Sequence, residues 1–188
     1  NANDVKSERG RSDFDIRHVF SMSFVWKVPF RQSVFLRGWQ LAGTGTAYSG
    51  QPFTPQLSGP SSDLGQATRP DRIATGTVPN PSPNQWFDLS AFMVVPDSAF
   101  RFGNSGRNIL DGPGTVNMNL ALAKEFHIRE RSRAQFRWET FNATNHANFQ
   151  LPNVPLDKAN AGPITKNKPA RVIHFGLRSI VHGSALKI

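Results

Sequence analysis

The chain has 188 residues, enough for one ordinary domain. Only 38% are hydrophobic, yet 15 are Phe and 4 are Trp, a balance that suits a wall with a thin apolar band and aromatic girdles. The absence of cysteine excludes a disulfide scaffold and a thiolate metal site. No apolar run approaches the roughly 20 residues a helix needs to cross a bilayer. The formal charge of +9 raises the question of nucleic acid. The basic residues are scattered through loop-like stretches, however, with one tight group at Arg129, Arg131 and Arg133, so solvated loop charge is the reading and no nucleic-acid partner is expected. The chain opens without Met, at Asn1-Ala2-Asn3-Asp4, which suggests a piece of a longer protein.

Residues 1–15 are polar and read as loop. A first strand is predicted over 17–28, where Phe20, Met22, Phe24, Trp26 and Val28 share one face and Ser21, Ser23 and Lys27 the other. Pro29 ends it, because proline has no N–H for a ladder. Residues 30–33 make a short connection to a second strand over 34–49. There Phe35, Trp39 and Leu41 share a face with Gly43, Gly45 and Ala47, and glycines inside a strand point to a bend or a close backbone approach.

Residues 50–114 are rich in Pro, Gly, Ser and Asn. Only Trp86-Phe87 and 91–95 look capable of burial there. A third strand over 115–126 alternates Val116, Met118, Leu120 and Leu122 with Asn117, Asn119 and Ala121, and Lys124 interrupts the apolar face where a long side chain can snorkel. A tight turn at 127–130 leads to a fourth strand over 131–141, with Phe136 and Trp138 opposite Gln135, Arg137 and Glu139. Phe141 breaks that phase, which suggests a bulge. A second long connection, 142–169, precedes a last strand over 170–181 carrying Ile173, Phe175 and Leu177 on one face.

Connections alternate short, long, short, long. Two-faced strands of about ten residues with that rhythm fit a transmembrane barrel wall better than a soluble domain, in which a structureless stretch as long as 50–114 would be out of place. The fold class is therefore all-β: an incomplete antiparallel transmembrane β-barrel wall with long extracellular loops, short turns on the periplasmic side, and too few strands to close. Phe20, Met22, Phe24, Trp26, Leu120, Leu122, Phe136, Trp138, Ile173 and Phe175 are expected to face lipid. Asn117, Asn119, Gln135, Arg137 and Glu139 are expected to face the lumen. Trp26, Trp39 and Phe126 would gather at one membrane interface, and Phe20, Tyr48 and Phe141 at the other.

With those segments in view, the chain resembles the C-terminal barrel region of TonB-dependent receptors, in particular the Oar-like receptors with a carboxypeptidase-regulatory-like domain. The stretches that carry the likeness occur in the family's order: 8–18 (ERGRSDFDIRH), 38–43 (GWQLAG), 49–54 (SGQPFT), Trp86-Phe87-Asp88, 102–108 (FGNSGRN), 136–146 (FRWETFNATNH), 149–153 and Phe175-Gly176-Leu177-Arg178. The resemblance implies that residues 1–188 are the C-terminal portion of an outer-membrane barrel domain in a Gram-negative bacterium. It further implies a plug domain upstream, a TonB complex as partner, and import of a small ligand, glycan or peptide. Such barrels end on an aromatic residue, whereas 179–188 runs on to Lys187-Ile188.

No catalytic site is apparent, no cofactor or metal is expected, and an enzyme is the last of the readings. Asp13, Asp15 and His18 lack the further ligands a metal requires and read as a loop at the top of a strand. Gly103-Asn104-Ser105-Gly106-Arg107 resembles a phosphate-cradling turn but lacks the lysine and helix that such a turn needs. Asn142-Ala143-Thr144 matches a glycosylation acceptor, a pattern that arises often by chance. Arg137 and Glu139, roughly 7 Å apart along the backbone, are expected to pair side by side. The rival readings are a soluble β-sandwich that binds carbohydrate or protein, with Trp86 as a stacking platform, and a basic nucleic-acid-binding β-domain.

Overall fold

A computed structural model describes residues 6, 8–29, 35, 37–58, 69–129 and 132–181. The strands, in chain order, are β1 (Val19–Lys27), β2 (Trp39–Tyr48), β3 (Pro52–Phe53), β4 (Asp71–Arg72), β5 (Phe92–Met93), β6 (Leu110–Asp111), β7 (Thr115–Arg129), β8 (Ser132–Phe141) and β9 (Val172–Val181). Five form one sheet in the order β1-β2-β7-β8-β9, and the sheet is not closed. The expected connection at 30–33, residues 34 and 36 and the tail 182–188 lie outside the described residues; Phe35, Arg37 and Gly38 are in turns, so the second strand begins at Trp39 and not at 34.

The sheet is antiparallel. Val28 N–H donates to Trp39 O, and Ser49 N–H to His18 O, each at 3.0 Å, which pins the two ends of the β1–β2 pairing. Leu122 pairs with Trp138, and Trp138 in turn with Phe175. Directly paired residues point to the same side of a sheet. The register therefore puts Leu120, Leu122, Phe136, Trp138, Ile173, Phe175 and Leu177 on one face, and Ala121, Glu125, Gln135, Arg137, Glu139, His174 and Arg178 on the other. Phe24 and Met22 reach across to Gly43 and Gly45 on the apolar face. A Cβ on Gly43 would lie 2.5 Å from the Phe24 ring and 3.0 Å from Leu120, so the glycine is there for close approach, not for a bend.

The structure departs from the sequence pattern at three further points. β7 continues to Arg129, and the irregularity falls between His127 and Arg129, so the strand pairs through part of the expected turn at 127–130. Phe141 stays in register with Val172. It lies on the polar face, its ring edge-on to His174 at 5.5 Å, and no bulge is needed. Alternation along β2 likewise puts Tyr48 with Thr44 and Thr46 on the polar face, so neither Phe141 nor Tyr48 joins Phe20 in an apolar girdle.

The chain divides into two compact units. One comprises 1–19, 48–115 and 147–168; the other comprises 20–47, 116–146 and 169–188 and holds most of the five-stranded sheet. The first unit has a small apolar core of Phe53, Phe87, Ala91, Phe92 and Leu110, against which Trp86, Ile109, Val154 and Leu156 pack. Phe87 meets Phe53 and Phe92 edge-on at 5.5 and 6.1 Å, a favoured arrangement of ring quadrupoles. The long connection is thus folded: β3 pairs with β6, β4 with β5, and Trp86 Nε1 donates to Asp111 O at 3.0 Å. Burial at Phe87, Ala91 and Phe92 is as the sequence suggests, but Met93 and Val94 are exposed, and Phe53 and Leu110 supply the rest of the core.

Candidate functional site

In the sheet unit the apolar face is bare. Phe20 is 59% exposed, Trp26 51%, Phe175 73% and Leu177 80%, although these are the residues that alternate most strictly. A large exposed aromatic surface in water would be an aggregation hazard; against lipid it is the ordinary outer surface of a wall. Lys124 departs from that pattern, as does Thr140, which is also buried on that face. Lys124 is buried, its ammonium stands 5.0 Å from the Trp39 ring centroid and 4.8 Å from that of Phe126, and it donates to Phe35 O. Trp39 Nε1 donates to the same carbonyl at 2.8 Å. The lysine is thus desolvated by π faces and satisfied by a backbone oxygen.

The opposite face is polar and partly cross-linked. Arg137 and Glu139 form the expected ion pair at 2.6 Å, and His174 is paired opposite Glu139. Asn119 bridges its surroundings: its amide donates to Thr44 Oγ1 at 3.4 Å and its carbonyl accepts from Asn142 N–H at 3.1 Å. Asn142 adopts φ 51°, donates to His146 O at 2.9 Å and is buried, so the side chain of the apparent glycosylation acceptor is already committed to a turn.

The loop unit is clasped by charged and amide groups from distant segments. Asn108, buried at φ 54°, donates to Arg11 O at 2.7 Å and to Asp13 Oδ1 at 2.6 Å, and its backbone N–H donates to Thr54 Oγ1 at 2.8 Å. Arg11 reaches Asn108 O at 2.9 Å and Asp111 at 2.7 Å, and Arg107 pairs with Asp13 at 2.9 Å. The Asn108 amide, with Arg107 beside it, holds the Asp13 carboxyl below the usual carboxylate range. Asp13 therefore serves as a loop fastener; among the described residues no cluster of His, Asp and Glu could hold a metal.

The Gly103–Arg107 turn has an equally local use. Asn104 N–H donates to Asp71 Oδ1 at 3.0 Å, and Arg101 meets the same carboxylate at 2.8 and 2.5 Å. A Cβ at Gly103 would fall 2.1 Å from Arg69 O. The turn is filled by a side chain of its own protein, which leaves no cradle for phosphate. Arg101, followed by the Asn104 N–H, pulls the Asp71 carboxyl down.

One open cavity of about 520 Å³ lies wholly within the loop unit and is lined by Tyr48, Gln51, Thr115, Phe149, Leu151, Asn153, Lys166 and Lys168 among others. Its volume is that of a small-molecule site. Sequence reasoning missed it, because Lys166 and Lys168 sit in a Pro- and Asn-rich stretch with no period.

A sheet with one apolar and one polar face suits the wall of a membrane barrel. A family model described as "Outer membrane beta barrel domain" matches residues 1–174. The chain belongs to that family. The outer-membrane barrel domain is accordingly located in the outer membrane. No curated protein and no solved structure matches it.

Proposed function

We propose that this barrel domain is the C-terminal part of a TonB-dependent receptor of the Oar-like kind, which binds a ligand and imports it through a plugged barrel. In this reading the exposed Phe20–Phe175 face meets lipid, and the face of Asn117, Asn119, Gln135, Arg137 and Glu139 meets the lumen. The short turns lie on the periplasmic side, and the long connections capture ligand outside. The observation that carries the reading is the clasp of the loop unit. Segments 8–18, 49–54 and 102–108, quoted for the resemblance as separate motifs, meet at Asn108 through Arg11, Asp13 and Thr54. A shared structural reason for those motifs supports a common architecture.

The test is co-purification of the full-length protein, folded in detergent, with the periplasmic part of TonB. Equimolar binding is expected. A folded barrel that does not retain TonB at any ratio would sink the transport reading and leave the barrel assignment intact.

A further inference from the structure

The loop-unit cavity carries positive charge that no acid in its lining meets. Lys168 Nζ donates to Tyr48 Oη and to Thr115 Oγ1, both at 2.8 Å, and stands 5.0 Å from the Tyr48 ring centroid. An ammonium has three N–H groups, so these two bonds leave one uncommitted. Four arginines of the same unit do find carboxylates: Arg11 with Asp111, Arg69 with Glu8, Arg101 with Asp71 and Arg107 with Asp13. Lys166 and Lys168 have no such partner among the described residues, and neither Asp nor Glu lines the cavity. The wall also carries amides, at Gln51, Gln150 and Asn153, and apolar surface that includes Phe149 and Leu151. Two unneutralised cations beside hydroxyls, amides and an aromatic ring describe a receptor for an anion that has an organic body.

We infer that this cavity binds a small organic carboxylate, with the anion on Lys168 and Lys166 and the body against Phe149 and Leu151. Lysine offers a compact point charge, and the apolar surface of Phe149 and Leu151 beside it favours an anion that carries an organic body over a bare inorganic one. Tyr48 and Thr115 hold the Lys168 ammonium in place before the ligand arrives, which reduces the ordering cost of binding. The inference gives a ligand class to the import reading and rests on it for the direction of travel.

The test uses the full-length protein in detergent and two probes of nearly equal shape, phenylacetate and phenylacetamide, followed by ligand-observed NMR titration. Saturable phenylacetate binding at least about tenfold tighter than that of the amide is expected, since a hydrogen bond to a charged group contributes at least that factor. The Lys166→Met/Lys168→Met protein should lose the difference while keeping the heat-modifiable migration of a folded barrel. Should that variant fail to fold, Lys166→Met alone and the probe pair on the parent protein still decide. Equal affinity for both probes, no saturable binding of phenylacetate, or unchanged discrimination in the variants would overturn the inference. Charge discrimination without TonB retention would sink the import reading alone; TonB retention without charge discrimination would sink the carboxylate site alone.

Discussion

Lys124 and Trp39 form a cation–π pair on the apolar side of the wall, ammonium to ring centroid 5.0 Å. The lysine is 3% exposed, so its charge is carried by the rings of Trp39 and Phe126 and by the Phe35 carbonyl. Lys124→Met keeps the stem packing and removes only the charge. It should cost about 2 kcal/mol or more, the value of a desolvated cation–π contact. Lys124→Glu should cost clearly more, because a carboxylate would face the negative π surfaces and a carbonyl oxygen. Urea titrations in lipid vesicles measure both, and equal losses would refute the caged-cation account.

Gly43 lies under the Phe24 ring. A side chain there has to displace an aromatic ring and Leu120 together, so Gly43→Val should lose about 1–3 kcal/mol through overpacking. Adding Phe24→Leu should recover part of that loss. Strict additivity of the two changes in the same titration would show that the ring and the glycine do not interact.

A charge placed on the exposed apolar face should cost roughly 2–4 kcal/mol near the bilayer midplane. Phe24→Arg, Leu120→Arg and Phe136→Arg test this, with Ser23→Arg and Ala121→Arg as mild controls on the other face. Asn119, which the sequence suggests as an equally mild control, is unsuitable: it is bonded to both Thr44 and Asn142. Equal tolerance on the two faces would sink the lipid and lumen assignment.

The Arg137–Glu139 pair is solvent-accessible on both sides, with side chains 57% and 28% exposed. A double-mutant cycle should therefore give a coupling below about 1 kcal/mol. A larger value would mean that the polar face is drier than its exposure implies.

The loop clasp should respond to acid. The Asn108 amide and Arg107 lower the Asp13 pKa, and Arg101 and Asn104 lower that of Asp71. A depressed carboxylate contributes stability that is fully present above its unfolded value, about 3.9, and that is lost as pH falls through the lower folded value. Protease resistance of the loop unit should hold at pH 6 and fall below about pH 4. Asp13→Asn should start from lower resistance and show a shallower acid response. An unchanged acid profile in that variant would remove Asp13 from the clasp.

The strands were legible in sequence because a wall between two solvents must alternate, and β1, β7, β8 and β9 do so with few exceptions. The limits were visible in the same terms. His127 read as a turn because a strand end that carries a bulge loses its period. The loop core was largely hidden: Phe53 and Leu110 pair in ladders of two residues, too short for any pattern, and are buried only because distant segments meet. Asn108 stood out only as the last residue of the 102–108 stretch, and nothing in its local pattern pointed to a clasp. Its role depends on a left-handed backbone and on partners near residues 11, 13 and 54, and neither is encoded in its neighbours.

The loop unit is assembled from separate lengths of chain. Phe53, Phe87 and Leu110 come from the connection between β2 and β7, Val154 and Leu156 from that between β8 and β9, and the clasp closes with Arg11 and Asp13 from ahead of β1. Its loops are therefore not interchangeable cassettes. Grafting any one of them onto another barrel would carry away a fraction of a core and leave its apolar residues unmatched. A change of specificity in this scaffold is better sought by replacing side chains around the cavity than by exchanging loops.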